Sequence, residues 1–252
     1  MEERNYQDIN AETIDRWIDE GWEWGKPISH EVFVNAQKGV WDILLTPTKP
    51  VPHAWFGDLH DKKVLGLAAG GGQQMPIFAA LGADCTVLDY SQKQIESDRF
   101  VAEREGYVIR AIRADMTKPL PFDDEEFDVI FNPVSDCYVE EVKPIFRECY
   151  RILKHGGLFI CGVDHYLNHI VGEDETHIVN KLPFNPLKNP EQMKELMDGD
   201  FGVQFSHSLE ELIGGQLEAG FRLTDLYEDT NGEGYLHELC IPTFLAMRSV
   251  KE

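Results

Sequence analysis

The sequence predicts an α/β protein with a doubly wound, mostly parallel sheet, preceded by an N-terminal helical cap. Three observations carry this reading. From Lys63 onward, short apolar runs alternate with amphipathic stretches, the pattern of strands crossing over through helices. The first apolar run ends in Gly70-Gly71-Gly72 and the second ends in Asp89. All five tryptophans fall within residues 1–57, a segment whose last part holds the proline-rich TPTKPVP.

Within 1–57, AETIDRWIDEGWEW and SHEVFVNAQKGVWDILL read as two amphipathic helices, with Ser29 the N-cap of the second. Prolines 47, 50 and 52 forbid helix and predict an extended connector. Residues 58–252 form the main domain. Its predicted order is strand KVLGLA, helix QQMPIFAALG, strand DCTVLDY, helix SQKQIESDRFVAEREG and strand YVIRAIRAD, then strand FDVIFNPV, helix EEVKPIFRECYRILKHG and strand GLFICGVD. Residues 164–207 are polar and too long for a plain connection, which predicts a lid or substrate element with a short helix at EQMKELMD. The chain resumes with helix LEELIGGQLEAG, strand FRLTDLYED and LHELCIPTFLAMRSV as a final strand. The run Asp123 to Glu126 reads as a solvated turn.

Among 252 residues, 23 Lys+Arg stand against 45 Asp+Glu, a formal net charge of −22. Such a chain repels nucleic acid and anionic membrane surfaces, so neither is an expected partner. With 42% hydrophobic and 11% aromatic residues, the composition is globular. Five scattered cysteines with no C-x-x-C pair fit reduced thiols. The start MEERNYQDIN lacks a signal-peptide pattern and no apolar run reaches membrane-spanning length, so a soluble, cytoplasmic protein is expected.

Glycines are needed where a ligand touches backbone, and a carboxylate ending the second strand suits ribose hydroxyls at the sheet's switch point. Reading G-x-G-x-x-G from Gly70 places Met75 at the third glycine, so the dinucleotide fingerprint fails and nicotinamide binding ranks lower. The third strand ends in Ala114-Asp115-Met116, followed by LPF and FDVIF, and R-x-L-K-x-G-G occupies 151–157. In this order the motifs resemble class I S-adenosylmethionine-dependent methyltransferases, particularly the group that includes ubiquinone- and menaquinone-biosynthesis-like enzymes. The resemblance spans residues 60–164 and, more loosely, 208–250.

That resemblance implies a seven-stranded Rossmann-like sheet and S-adenosyl-L-methionine as cofactor. It implies that Gly70 and Gly72 approach the methionine part, Asp89 of the Asp89-Tyr90-Ser91 run holds the ribose, and Tyr90 lies against adenine. Asp115 would accept from the adenine amino group, Met116 would pack on the ring, and Asn132 would face the sulfonium. The family has an acidic residue where Gly66 stands and a glycine where Ala68 stands, so another acceptor, a backbone carbonyl or Gln73 or Gln74, must receive the cofactor's ammonium group.

Two places after the strand ends can carry a base. In NPVSDCY, Asp136 and Tyr138 are candidates, with Asp136 alternatively capping the helix expected near Glu140. In DHYLNH, His165 is the preferred base; with His169 it shares one helical face but lacks a third metal ligand, and two solvated histidines are the plainer alternative. Most tryptophans are expected to anchor helices, with Trp22 and Trp24 the candidates for pocket walls. The expected activity is methyl transfer to a small molecule. A cofactor-binding sensor without turnover and a nicotinamide oxidoreductase are the other classes.

Overall fold

The computed structural model describes residues 5–252, so the first four residues of the expected cap lie outside it. The chain opens with α1 (Tyr6–Asp19), a 3₁₀ turn at Glu23–Gly25 and α2 (His30–Gln37), and continues into β1 (Lys63–Leu67), α3 (Gln74–Ala80), β2 (Asp84–Asp89), α4 (Gln92–Glu105) and β3 (Ile109–Arg113). Next come β4 (Phe127–Asn132), α5 (Lys143–Ile152), β5 (Leu153–Asp164), α6 (Leu167–Ile170) and α7 (Pro190–Asp198). The last elements are α8 (Gly215–Ala219), β6 (Phe221–Asp229), α9 (Tyr235–Glu238) and β7 (Phe244–Lys251).

The sheet runs β3-β2-β1-β4-β5-β7-β6, with β7 antiparallel to both neighbours and the other pairings parallel. Each face carries a core. Ile145, Phe146, Cys149 and Ile152 of α5 pack on one face, and Met75, Ile77 and Phe78 of α3 on the other. The chain therefore reverses its winding between β1 and β4, and a crevice opens at their carboxyl ends. Ala36, Ile43, Leu45, Val51 and Trp55 from the N-terminal segment join the second core, where Phe131 is enclosed by Phe56 and Phe78.

Several element boundaries differ from the sequence reading, each for a local reason. Helix α1 begins five residues early because the Asn5 side chain accepts from Asp8 N–H at 2.8 Å. Ser29 does cap α2, but Gly39 at φ +83° ends that helix well before Leu45. Prolines 47 and 50 sit in a tight loop closed by a Leu44–Pro50 bridge, not an extended connector. The loop is fastened to Asp229, which accepts from Thr48 N–H (2.8 Å), Lys49 N–H (3.0 Å) and the Thr46 hydroxyl (2.8 Å). Pro242 precedes β7, and the LHE stretch before it forms α9 instead of strand. No helix among the described residues is long and apolar enough to cross a membrane. Cys85, Cys137, Cys149 and Cys161 are buried free thiols, and Cys240 is exposed.

Candidate active site

The turn after β1 is built around Asp89. Ala68 leaves the strand in the left-handed region, φ +48°, with its N–H donating to Leu88 O at 2.8 Å. Gly70 N–H donates to Asp89 Oδ2 at 3.1 Å and Ser91 N–H to Oδ1 at 2.9 Å. A Cβ on Gly70 would lie 2.5 Å from Gln94 Cβ and 2.9 Å from Asp89 Oδ2, so only glycine lets the turn approach the carboxylate this closely. Burial pushes the Asp89 carboxyl up to about 6, against the pull of the backbone N–H groups. Ser91 also caps α4 by accepting from Gln94 N–H.

A cavity of about 120 Å³ lies over this turn. Ala68, Asp89, Tyr90, Ser91, Asp115 and Met116 line it from the sheet side, and Gln7, Asn10, Ala11 and Ile14 of α1 close it from outside. Thr117 donates to Asp115 Oδ1 through both its N–H (2.8 Å) and its hydroxyl (2.7 Å). The Tyr90 hydroxyl donates to Asp8 at 2.7 Å, and the Arg113 guanidinium covers its ring at 5.4 Å. Helix α1 is held over the opening by this bond, by Ser91 to Asp15, and by Asn10, which exchanges hydrogen bonds with the backbone of Val203.

A second cavity of about 290 Å³ adjoins the first, sharing Trp22, Ala68, Gln94, Val134 and Tyr138. Gly70, Gln73 and Gln74 line one part of it; Trp24, Leu44, Pro47, Asp164, Asn168 and Phe244 line another. The Gln73 amide is used to hold the carbonyls of Glu23 (2.8 Å) and Lys26 (3.1 Å). Gln74 is buried, and its Oε1 has no hydrogen-bond partner. The same is true of Gln94 Oε1.

Other sequence candidates stand off the cavity walls. Gly66 is packed under Met75, whose sulfur would be 2.4 Å from an added Cβ. Gly72, at φ +67°, faces α4 and donates to Asp98. Asn132 donates to Leu67 O (2.7 Å) and to Ser135 (2.9 Å), so its amide ties β1 to the following turn instead of facing the crevice. Asp136 does not cap α5, which starts at Lys143 without a side-chain cap; it accepts from Asp164 N–H at 2.8 Å, and its other oxygen is buried and unpartnered. Burial, with the Asp164 charge beside it, holds its carboxyl well above the usual range. His165 is half-buried, with its ring against Tyr166, and reaches neither cavity. His169, expected in solvent, is buried with Nε2 2.6 Å from Asp164 Oδ2. Sequence reasoning passed over Asp164, although it ends the fifth strand as Asp89 ends the second; it expected a helical cap but named none of the α1 residues, Gln7, Asn10, Ala11 and Ile14, that close the smaller cavity.

The methyltransferase-domain family profile matches residues 65–161. Across 252 aligned residues the chain is 41% identical to the uncharacterized methyltransferase YbaJ of Bacillus subtilis (strain 168), covering 96% of this chain and 97% of that protein. It is 29% identical over 126 residues to the ubiquinone biosynthesis O-methyltransferase of Roseobacter denitrificans, spanning 48% of this chain and half of that enzyme. The fold superposes on an S-adenosylmethionine-dependent methyltransferase from Mesorhizobium loti with a TM-score of 0.63 at 18% identity, over 78% of this chain and 94% of that one. Near full-length kinship on this sheet order, with a glycine turn closing on Asp89, places the chain in the class I S-adenosylmethionine-dependent methyltransferase family.

Proposed function

We propose that the chain transfers a methyl group from S-adenosylmethionine to a small-molecule acceptor held in the larger cavity. The observation that carries this is Asp89, a buried carboxylate fixed by two backbone N–H groups in the wall of the smaller cavity. In this reading Asp89 receives the ribose hydroxyls, Tyr90 and Met116 flank the adenine, and Asp115 accepts from its amino group. Gly70 lets the backbone pass close to the methionine part. Gln74, buried with an unpartnered Oε1 in the adjoining wall, replaces the missing acidic residue as acceptor for the ammonium group. When bound, the cofactor supplies a methyl group on a sulfonium leaving group. The protein's task is to place the acceptor and exclude water. Tyr138, which lines both cavities, then lies where acceptor and methyl meet.

The cap 1–57 and the 164–207 insertion act together as the covering element. Support comes from Trp22, Trp24, Leu44 and Pro47 on one side of the cavity wall and Asn168 and Gln204 on the other. An opening framed in this way suits a small molecule, and a net charge of −22 opposes RNA. The free cysteines accord with a cytoplasmic location.

Thermal unfolding tests the assignment. S-adenosylmethionine and S-adenosylhomocysteine, each at about a hundred times its Kd, should stabilise the chain by roughly 2.7 kcal/mol, and NAD(H) should not. A shift with NAD(H) alone would reverse the reading. Methyl transfer to total RNA in preference to a small-molecule panel would remove the acceptor class.

A further inference from the structure

We propose that the acceptor is an amine on a partly apolar body, with its nitrogen seated against the Asp164 carboxylate in the larger cavity. The inference rests on reading that cavity as the acceptor site.

Its polar wall offers acceptors and no fixed cation. No lysine, arginine or histidine is among the described residues lining either cavity. Asp164 is 6% exposed, and its oxygens receive the Asn168 amide and the imidazole of His169. Asp136 adds a second buried carboxyl alongside, joined to the Asp164 backbone. Among the described residues, imidazole is the one basic side chain paired with Asp164, and none is paired with the Asp136 carboxyl. Asp164 is thus held by an amide and an imidazole, with no lysine or arginine beside it, and a ligand that brings positive charge or N–H donors is favoured next to a buried carboxylate. A phosphate or carboxylate acceptor would be repelled there.

The rest of the lining fits an amine on such a body. The rings of Trp22, Trp24 and Tyr138 supply aromatic faces that attract an ammonium group, while Leu44, Pro47 and Phe244 cover an apolar body.

The proton balance closes on the same residues. The bound ammonium gives one proton to the Asp164–His169 pair and thence to solvent. The freed nitrogen lone pair forms the new N–C bond, and the pair of the broken C–S bond stays on sulfur.

The test is calorimetry on the full chain with S-adenosylhomocysteine bound, using 2-phenylethylamine, 2-phenylethanol and 3-phenylpropionate as matched probes. The amine should bind at least about tenfold tighter than the alcohol or the acid. Asp164→Asn should lose about tenfold in amine affinity while keeping that for S-adenosylhomocysteine. Equal or tighter binding of the alcohol or acid, or no amine binding up to about 10 mM, overturns the proposal. Should Asp164→Asn fail to fold by circular dichroism, the wild-type probe series decides alone. S-adenosylhomocysteine binding is read separately; its absence would defeat the cofactor reading, and the probe series without it would still decide for or against the amine site.

Discussion

Asp89→Ala is expected to weaken S-adenosylmethionine binding by about 1.5 to 3 kcal/mol, roughly tenfold to 150-fold, in a chain that remains folded. The carboxylate is fixed by both the glycine turn and the start of α4, through Gly70 N–H and Ser91 N–H. Ligand hydroxyls reaching it form charge-assisted bonds in a site where water competes poorly. Because burial raises the carboxyl from its ordinary 3.8 to about 6, the folded chain binds more protons than the unfolded chain between those pH values. Stability of the ligand-free protein therefore falls as pH rises through that window, and ionised Asp89 costs about 3 kcal/mol at neutral pH. Two measurable results follow. Cofactor affinity should decline as pH drops below about 6, where the acceptor becomes protonated. Asp89→Asn, neutral at every pH, should raise ligand-free stability at pH 7.5 by about 1 to 2 kcal/mol while weakening the cofactor. Calorimetry and denaturant unfolding read the two separately, and unchanged cofactor affinity in both variants would remove Asp89 from the ribose site.

Asp229→Ala is expected to destabilise the chain by about 3 to 4 kcal/mol in urea unfolding, well beyond a surface substitution. Asp229, 1% exposed at the end of β6, accepts from Thr48 and Lys49 N–H, the Thr46 and Thr48 hydroxyls and Thr230 N–H. Removing the carboxylate strands these donors in a partly buried loop. Burial alone would raise this carboxyl, but the hydrogen bonds led by Thr48 outweigh it and hold it below the ordinary range. Its contribution is thus present at neutral pH and is lost as pH falls through the lowered folded value. The loop also carries Leu44, Leu45 and Pro47 of the larger cavity, and Gly162 of β5 admits the Leu45 backbone so closely that an added Cβ would stand 2.2 Å from its carbonyl oxygen. A loosened loop should therefore cost acceptor binding more than cofactor binding. An Asp229→Ala chain as stable as wild type would show that the loop is held by its apolar contacts alone.

Much of the sheet was legible in the sequence because each strand is a short apolar run bounded by a turn or a helix signal. FRLTDLYED maps onto β6 without a residue's difference, and SQKQIESDRFVAEREG contains α4 from its serine cap to the left-handed Gly106. The cofactor side was legible for a related reason. The glycine turn and Asp89 meet across adjacent parallel strands, a geometry that strand order alone enforces.

Residues brought together by distant segments were not legible. His169 reads as a solvated helical histidine until Asp164, five positions earlier, is seen to end a buried strand and face it. His165, favoured by sequence, precedes α6 and rests half-buried against Tyr166, whereas His169 within α6 is buried. Gln73 and Gln74 are equivalent in sequence; tertiary contacts spend one on Glu23 and Lys26 and leave the other's oxygen unpartnered. The sequence by itself determined the strand order's raw material, the acidic surface and the glycine–aspartate pair, because these rest on period, charge and nearest-neighbour geometry. Only the tertiary structure decided which carboxylate, amide and tryptophan share one cavity, because those contacts join segments up to about 200 residues apart and no local propensity records them.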